Sequence, residues 1–189
     1  MVQDNCGDCL HPTFEVLADF KITKPNMRRS HVEKVVINYN GESVTLYDST
    51  SVITSWDGTQ SADLNENGFD ISLVAPADPS DWKDEPAQII VVKLANGVIV
   101  QWDCVKEVKV IVPASMSGSV CGMCGNFDGD KTNDWTLGPH IDANSPSTCA
   151  VLAEELNGNV LDQTSSLGEM VDSWFHSMDT SKSCEMECE

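Results

Sequence analysis

At 189 residues, 41% of them hydrophobic, the chain is long enough to bury a core of its own as a single domain. Eleven basic against thirty acidic residues leave a net charge of -19. That balance sets a nucleic-acid partner aside, because phosphates are repelled over most of such a surface, and it suits cation binding or solubility in a crowded fluid.

The chain opens with Met1-Val-Gln-Asp-Asn-Cys6, which has no apolar region of the kind a secretory signal needs, and no later apolar run approaches the roughly 20 residues of a membrane-spanning helix. If secreted, the chain is therefore expected to be a piece of something longer. Residues 13–23 alternate, with Phe14, Val16, Ala18, Phe20 and Ile22 on one face of a half-buried strand. A turn at Pro25-Asn26 leads to a second strand, His31–Tyr39. Asn40-Gly41 then joins it to Ser43–Tyr47 as a hairpin, the dipeptide supplying the left-handed backbone that a tight turn requires. Arg28, Arg29, His31 and Lys34 form the one basic island, read as a solvated strand edge rather than a docking patch.

Residues 48–70 are polar. Asp63, Asn65, Asn67 and Gly68 match the start of an EF-hand loop, but Val74 stands where the bidentate Glu belongs and no helices flank it, so a turn is expected rather than a second cation site. A short strand at Phe69–Val74 precedes an acidic, proline-bearing loop from Pro76 to Pro86. Gln88–Leu94 and Val98–Trp102 follow as a hairpin around Ala95-Asn96-Gly97, apolar enough to be buried on both faces. Val105–Val112 alternates again and stops at Pro113. The expected fold is mainly β, an antiparallel β-sandwich or open barrel with its core in residues 13–112.

Helical periodicity comes only after residue 135. Thr148–Leu156 reads as a short helix stopped by Asn157-Gly158. Ser166-Leu-Gly-Glu169 makes a capping box before a stripe of Leu167, Met170, Val171, Trp174, Phe175 and Met178. Residues 148–189 are thus expected to be a helical tail. The eight cysteines, Cys6, Cys9, Cys104, Cys121, Cys124, Cys149, Cys184 and Cys188, are read as a disulfide framework in an oxidising compartment, with connectivity open. Four thiolates from Cys6, Cys9, Cys121 and Cys124 could instead hold zinc, but four further cysteines would remain.

Residues 119–135 carry the chemistry. Cys121-Gly-Met-Cys124 is followed by oxygen-bearing side chains at Asn126, Asp128, Asp130, Thr132, Asn133 and Asp134, with Gly125 and Gly129 allowing sharp turns. Calcium takes six to eight such oxygens, so the segment reads either as a wrapped cation loop or as a polar turn stapled by a disulfide. Three carboxylates within seven residues repel one another, and a divalent cation would hold them together. No G-x-S-x-G, H-E-x-x-H or phosphate-loop motif occurs, and His11, His31, His140 and His176 show no hydrolase or zinc-protease spacing.

The run Cys121-Gly-Met-Cys-Gly-Asn-Phe-Asp-Gly-Asp-Lys-Thr-Asn-Asp134 resembles the signature of the von Willebrand factor type D domain, a secreted module. Thr13–Tyr47, Ile89–Val112 and Met170–Phe175 also resemble family segments, so the likeness covers most of the chain as one domain, residues 1–189. The resemblance implies calcium bound by Asn126, Asp128, Asn133 and Asp134 through side chains and by Asp130 through its carbonyl or carboxylate. Family members usually begin with a Gly-Asp-Pro-His-Tyr-x-Thr-Phe-Asp-Gly strand and a nearby cysteine, which supply one calcium ligand and a disulfide partner; nothing like it precedes Cys6. Another segment would then close the calcium shell or leave it incomplete, with Cys6 or Cys9 taking the bond to Cys121 or Cys124, and Cys104 has no family partner.

Three functions follow as expectations. The first is a non-catalytic, secreted module of a matrix, mucus, adhesive or plasma protein, binding other extracellular proteins, other domains of its parent chain or copies of itself. The second is a C-terminal domain of a yolk or lipid-carrier protein, which the resemblance also covers. The third is dithiol–disulfide exchange through Cys121 and Cys124 in self-assembly, against which stand acidic neighbours that disfavour a thiolate.

Overall fold

The computed structural model describes residues 2–4, 12–22, 30–47, 53–54, 60–61 and 64–134. The expected helices at 148–156 and 166–178, and five of the eight cysteines, lie outside the described residues. The chain divides into two compact units, residues 1–2 with 13–117, and residues 3–12 with 118–189. Among the described residues the fold is mainly β, with two antiparallel sheets and no helix beyond two 3-10 turns at Pro79–Asp81 and Ala114–Met116.

In the first unit, β2 (Phe14–Ile22), β3 (Ser30–Tyr39), β4 (Glu42–Tyr47), β5 (Ile53–Thr54) and β6 (Gln60–Ser61) lie side by side in that order. The register puts Val16 beside Ile37 and Ile37 beside Val44, so alternate residues of three strands make one buried face. A bulge between Asp19 and Phe20 keeps Val32 on that face. Phe20 nevertheless stays exposed, against its expected place on the buried side. Asn40 (φ 51°) and Gly41 (φ 84°) make the expected left-handed pair of the β3–β4 turn.

The second sheet runs β11 (Val108–Ile111), β10 (Ile99–Trp102), β9 (Ile89–Leu94), β8 (Phe69–Val74) and β7 (Leu64–Glu66). Ile71, Val92, Val100 and Val110 stand in register across its inner face, and the Phe69 ring meets Tyr39 of the first sheet edge-on at 6.0 Å. Asn67 (φ 50°) and Gly68 (φ 88°) turn the chain between β7 and β8, repeating the left-handed pair, while Asp63 of the expected turn lies outside the described residues.

β9 is buried on both faces as expected, and the reason lies in the acidic loop. Trp82, only 4% exposed, covers the outward-facing Ile89 and Val91, with Ile99 packed beside them. The loop is tied down at its rim: Lys109 Nζ sits 3.9 Å from the Trp82 ring centroid and donates to the Asp81 carbonyl, Lys106 pairs with Asp84 at 2.6 Å, and the Lys83 amide donates to Glu107. β11 starts at Val108 rather than Val105. The Asp103 carboxylate accepts the backbone N–H groups of Val105, Lys106 and Glu107, and Cys104 turns through φ 63°, so residues 103–107 form a knot before extended backbone resumes.

Candidate functional site

The site belongs to the second unit. β12 (Val120–Gly122) neighbours β1 (Val2–Asp4), whose Gln3 and Asp4 fall in the same unit, and the Cys121 sulfur lies 3.8 Å from the Gln3 carbonyl oxygen. Cys121 is buried and disulfide-bonded. Past Gly122 the chain turns back through a Gly125 N–H to Gly122 carbonyl bond of 3.0 Å, which places Cys124 at the surface as a free thiol. A disulfide at every cysteine, as expected from their even number, is therefore not what the structure has at Cys124. Cys104 is buried, its sulfur 3.9 Å from the Trp102 carbonyl oxygen.

From Asn126 onward the alternation of polar side chains builds the loop by itself. Asn126 Oδ1 accepts the Asp128 N–H (3.0 Å), Asp128 Oδ1 the Asp130 N–H (2.7 Å) and Asp130 Oδ1 the Thr132 N–H (2.9 Å). These are three successive turns in which a side chain stands in for the backbone acceptor two residues earlier. The ends are drawn together by Asp134, whose carboxylate accepts the Asn126 N–H at 3.2 Å, and by the Gly118 N–H donating to the Asn126 carbonyl at 3.1 Å. Gly125, at φ 83°, lies so close that a Cβ there would collide with the Asp134 carboxylate.

Four of the five expected calcium ligands share one hydrogen-bonded cluster. Asp128 Oδ2 accepts from Asn126 Nδ2 at 3.1 Å and from Asn133 Nδ2 at 2.7 Å, Asn126 Nδ2 also reaches Asn133 Oδ1 at 3.2 Å, and Asp134 binds the Asn126 backbone. The fifth, Asp130, turns its carboxylate to the Thr132 hydroxyl (2.6 Å), while its carbonyl accepts the Asn133 N–H. The Asn133 amide is the main reason the Asp128 carboxyl is held below the ordinary carboxylate range; for Asp130 it is the Thr132 hydroxyl. No three His, Cys, Asp or Glu side chains converge among the described residues, so a cation here has to draw on amide and carbonyl oxygens and water as well as carboxylates. The residue types present offer carboxylate, amide and carbonyl oxygens, the kinds a hard cation takes, although Asn126 and Asn133 turn their Nδ2 groups to Asp128.

Residues 2–139 match the family model of the von Willebrand factor type D domain, which covers the β strands and the whole loop. The chain belongs to the von Willebrand factor type D domain family. Relatives include human Mucin-19, 27% identical over 103 residues (54% of this chain), and chicken Mucin-5B, 30% identical over 134 residues (70%). Pig Zonadhesin is 40% identical over 47 residues (25%). The matched part of this type D domain spans 1% of that Mucin-19, 6% of that Mucin-5B and 2% of that Zonadhesin.

Sequence reasoning gave no role to two exposed apolar side chains of this type D domain loop, Met123 and Phe127, the latter 49% exposed and held at φ 60°. Only an apolar residue between two polar turn formers signals Phe127 in the sequence. Among the described residues no helix is long and apolar enough to cross a membrane.

Proposed function

We propose that the chain is a non-catalytic, calcium-binding structural and interaction module of a larger secreted protein, its loop at residues 119–135 braced by the cation. The observation carrying this reading is the clustering of Asn126, Asp128, Asn133 and Asp134 in one hydrogen-bonded group of two carboxylates and two amides. These residues, with the Asp130 carbonyl or carboxylate, would hold the ion. Bound there, calcium supplies positive charge to a loop whose carboxylates otherwise rely on amide N–H groups, and it stabilises the folded loop by binding the unfolded chain far less. Mucin and zonadhesin relatives support the extracellular setting, with other extracellular proteins, other domains of the parent chain or further copies as partners.

Calorimetric titration with calcium tests the reading. The intact chain is expected to release or absorb heat at one site, and Asp128→Ala and Asp134→Ala to abolish it and to gain no more in melting temperature from calcium than from magnesium. Unchanged calcium dependence in both variants sinks the assignment.

A second reading rests on Cys124. An exposed free thiol three residues beyond a disulfide-bonded Cys121, flanked by exposed Met123 and Phe127, supports exchange at that sulfur. The Cys124 thiolate attacks one sulfur of a disulfide, forming a mixed disulfide and expelling the other sulfur as a thiolate that takes up the proton Cys124 lost. Alkylation of the native protein followed by peptide mass mapping is expected to label Cys124; an unlabelled Cys124 removes this reading.

A further inference from the structure

Asn40-Gly41, Asn67-Gly68 and Asn96-Gly97 all stand in described turns of the first unit. Asparagine is a thermolabile side chain, most of all before glycine, which has no Cβ to keep its backbone nitrogen away from the asparagine amide. Hydroxide takes the glycine N–H proton and the nitrogen attacks the asparagine Cγ. The bond from Cγ to Nδ2 breaks, and the nitrogen leaves as ammonia with a proton from water, which restores the hydroxide. A second water opens the resulting succinimide at either carbonyl, giving aspartate or isoaspartate. We propose that the fold directs this chemistry to Asn40, which makes the β3–β4 turn the site of spontaneous modification in the native chain.

Asn40 and Asn67 form a matched pair. Their φ angles are 51° and 50°, the following glycines stand at 84° and 88°, and both asparagines are exposed. Attack requires the Asn–Gly peptide to rotate out of the turn until the glycine nitrogen faces Cγ. Around Gly41 that rotation meets no obstacle, since a Cβ placed there finds nothing within 4 Å. Gly68 is boxed in. A Cβ there would lie 2.7 Å from Tyr39 Cε1 and 3.7 Å from Ala95 Cβ, and the Gly68 carbonyl accepts the Ala95 N–H at 3.0 Å. Tyr39 is itself buried and edge-on to Phe69, so its ring cannot yield without disturbing the core.

Asn96 is protected by hydrogen bonds instead. The Gly97 N–H donates to the Leu94 carbonyl at 2.9 Å, which engages the attacking nitrogen and holds its proton. Asn96 Oδ1 accepts the Val98 N–H at 3.1 Å, which fixes the side chain in the turn. At the β3–β4 turn the Asn40 N–H donates to the Thr13 carbonyl at 2.9 Å, anchoring the residue on the side away from the reacting peptide. Among the described residues no hydrogen bond holds the Gly41 N–H. The products alter the turn in two ways. Both add a negative charge beside Glu42, and isoaspartate routes the backbone through the side chain, inserting a methylene into a turn that Tyr39 and Glu42 close in register.

The test is ageing of the intact 189-residue chain in mildly alkaline buffer beside a sample reduced and unfolded in urea. Peptide mass mapping then separates asparagine, aspartate and isoaspartate at each step. In the native sample Asn40 is expected to convert several-fold faster than Asn67 and Asn96. In urea, where every step has lost its surroundings, the three rates are expected to draw together. Conversion of native Asn67 or Asn96 at the pace of Asn40 overturns the proposal. So does a spread in urea as wide as in the native chain, which would assign the selectivity to neighbouring sequence. A native Asn40 that stays intact while the urea sample converts overturns it as well, by showing the turn to be protective.

Discussion

Gly125 carries the tightest steric demand in the loop, and Gly129 offers its control. Both have positive φ, but a Cβ at Gly125 meets the Asp134 carboxylate, whereas at Gly129 it meets nothing within 4 Å. Gly129→Ala is expected to cost only left-handed strain, about 1–2 kcal/mol. Gly125→Ala adds the displacement of Asp134 and should cost about 1–3 kcal/mol more. Urea denaturation of the two variants checks the order, and equal losses would mean that Asp134 does not close the loop. At this scale the sequence was informative about residue types and blind to orientation. Asn126, Asp128, Asp130 and Thr132 declare a polar turn by their spacing, but which atom of each amide faces Asp128, and that Asp130 serves Thr132, depends on rotamers no pattern encodes.

Among the elements, the loop over the second sheet is the clearest case of packing that sequence pattern cannot show. The hairpins at Asn40-Gly41 and Asn96-Gly97 were legible because turn chemistry and alternation agree locally. Trp82 is a lone large apolar residue in an acidic, proline-bearing loop, with no period to mark it, and it is recruited by the outer face of the neighbouring β9. Likewise the alternation of Val105–Val112 spoke for a longer strand, and the Asp103 carboxylate overrode its first three residues by capturing their N–H groups. Trp82→Ala is expected to destabilise by about 3–5 kcal/mol, since it uncovers Ile89 and Val91; a loss below about 1 kcal/mol would show the loop to be dispensable.

The same loop gives a pH signature. The Lys106 ammonium holds the Asp84 carboxyl below the usual range, and the Ser80 hydroxyl and backbone N–H do so for Asp78. A carboxyl with a lower pKa in the folded than in the unfolded chain contributes stability that is present above its unfolded value of about 3.9, and loses it as pH falls through the native value. Both groups are exposed, so the contribution is small. Asp84→Asn should therefore lose less stability than the parent between about pH 5 and about pH 3. Urea midpoints at the two pH values measure it, and parallel losses would remove Asp84 from the acid transition.

For the whole molecule, a net charge of -19 means that any added cation stabilises by screening, monovalent salt included. A rise in melting temperature with calcium therefore supports a bound ion only where it exceeds what a non-ligating divalent does. Magnesium is the suitable comparison, because it demands a smaller octahedral shell and keeps its waters. The most direct measurement is thermal melting of the intact chain and of Asp128→Ala in chelator, millimolar magnesium and millimolar calcium at matched ionic strength. The calcium-braced loop predicts a melting temperature for the intact chain clearly higher in calcium than in magnesium, and no such difference in Asp128→Ala. Equal melting of the intact chain in the two divalent salts would contradict it.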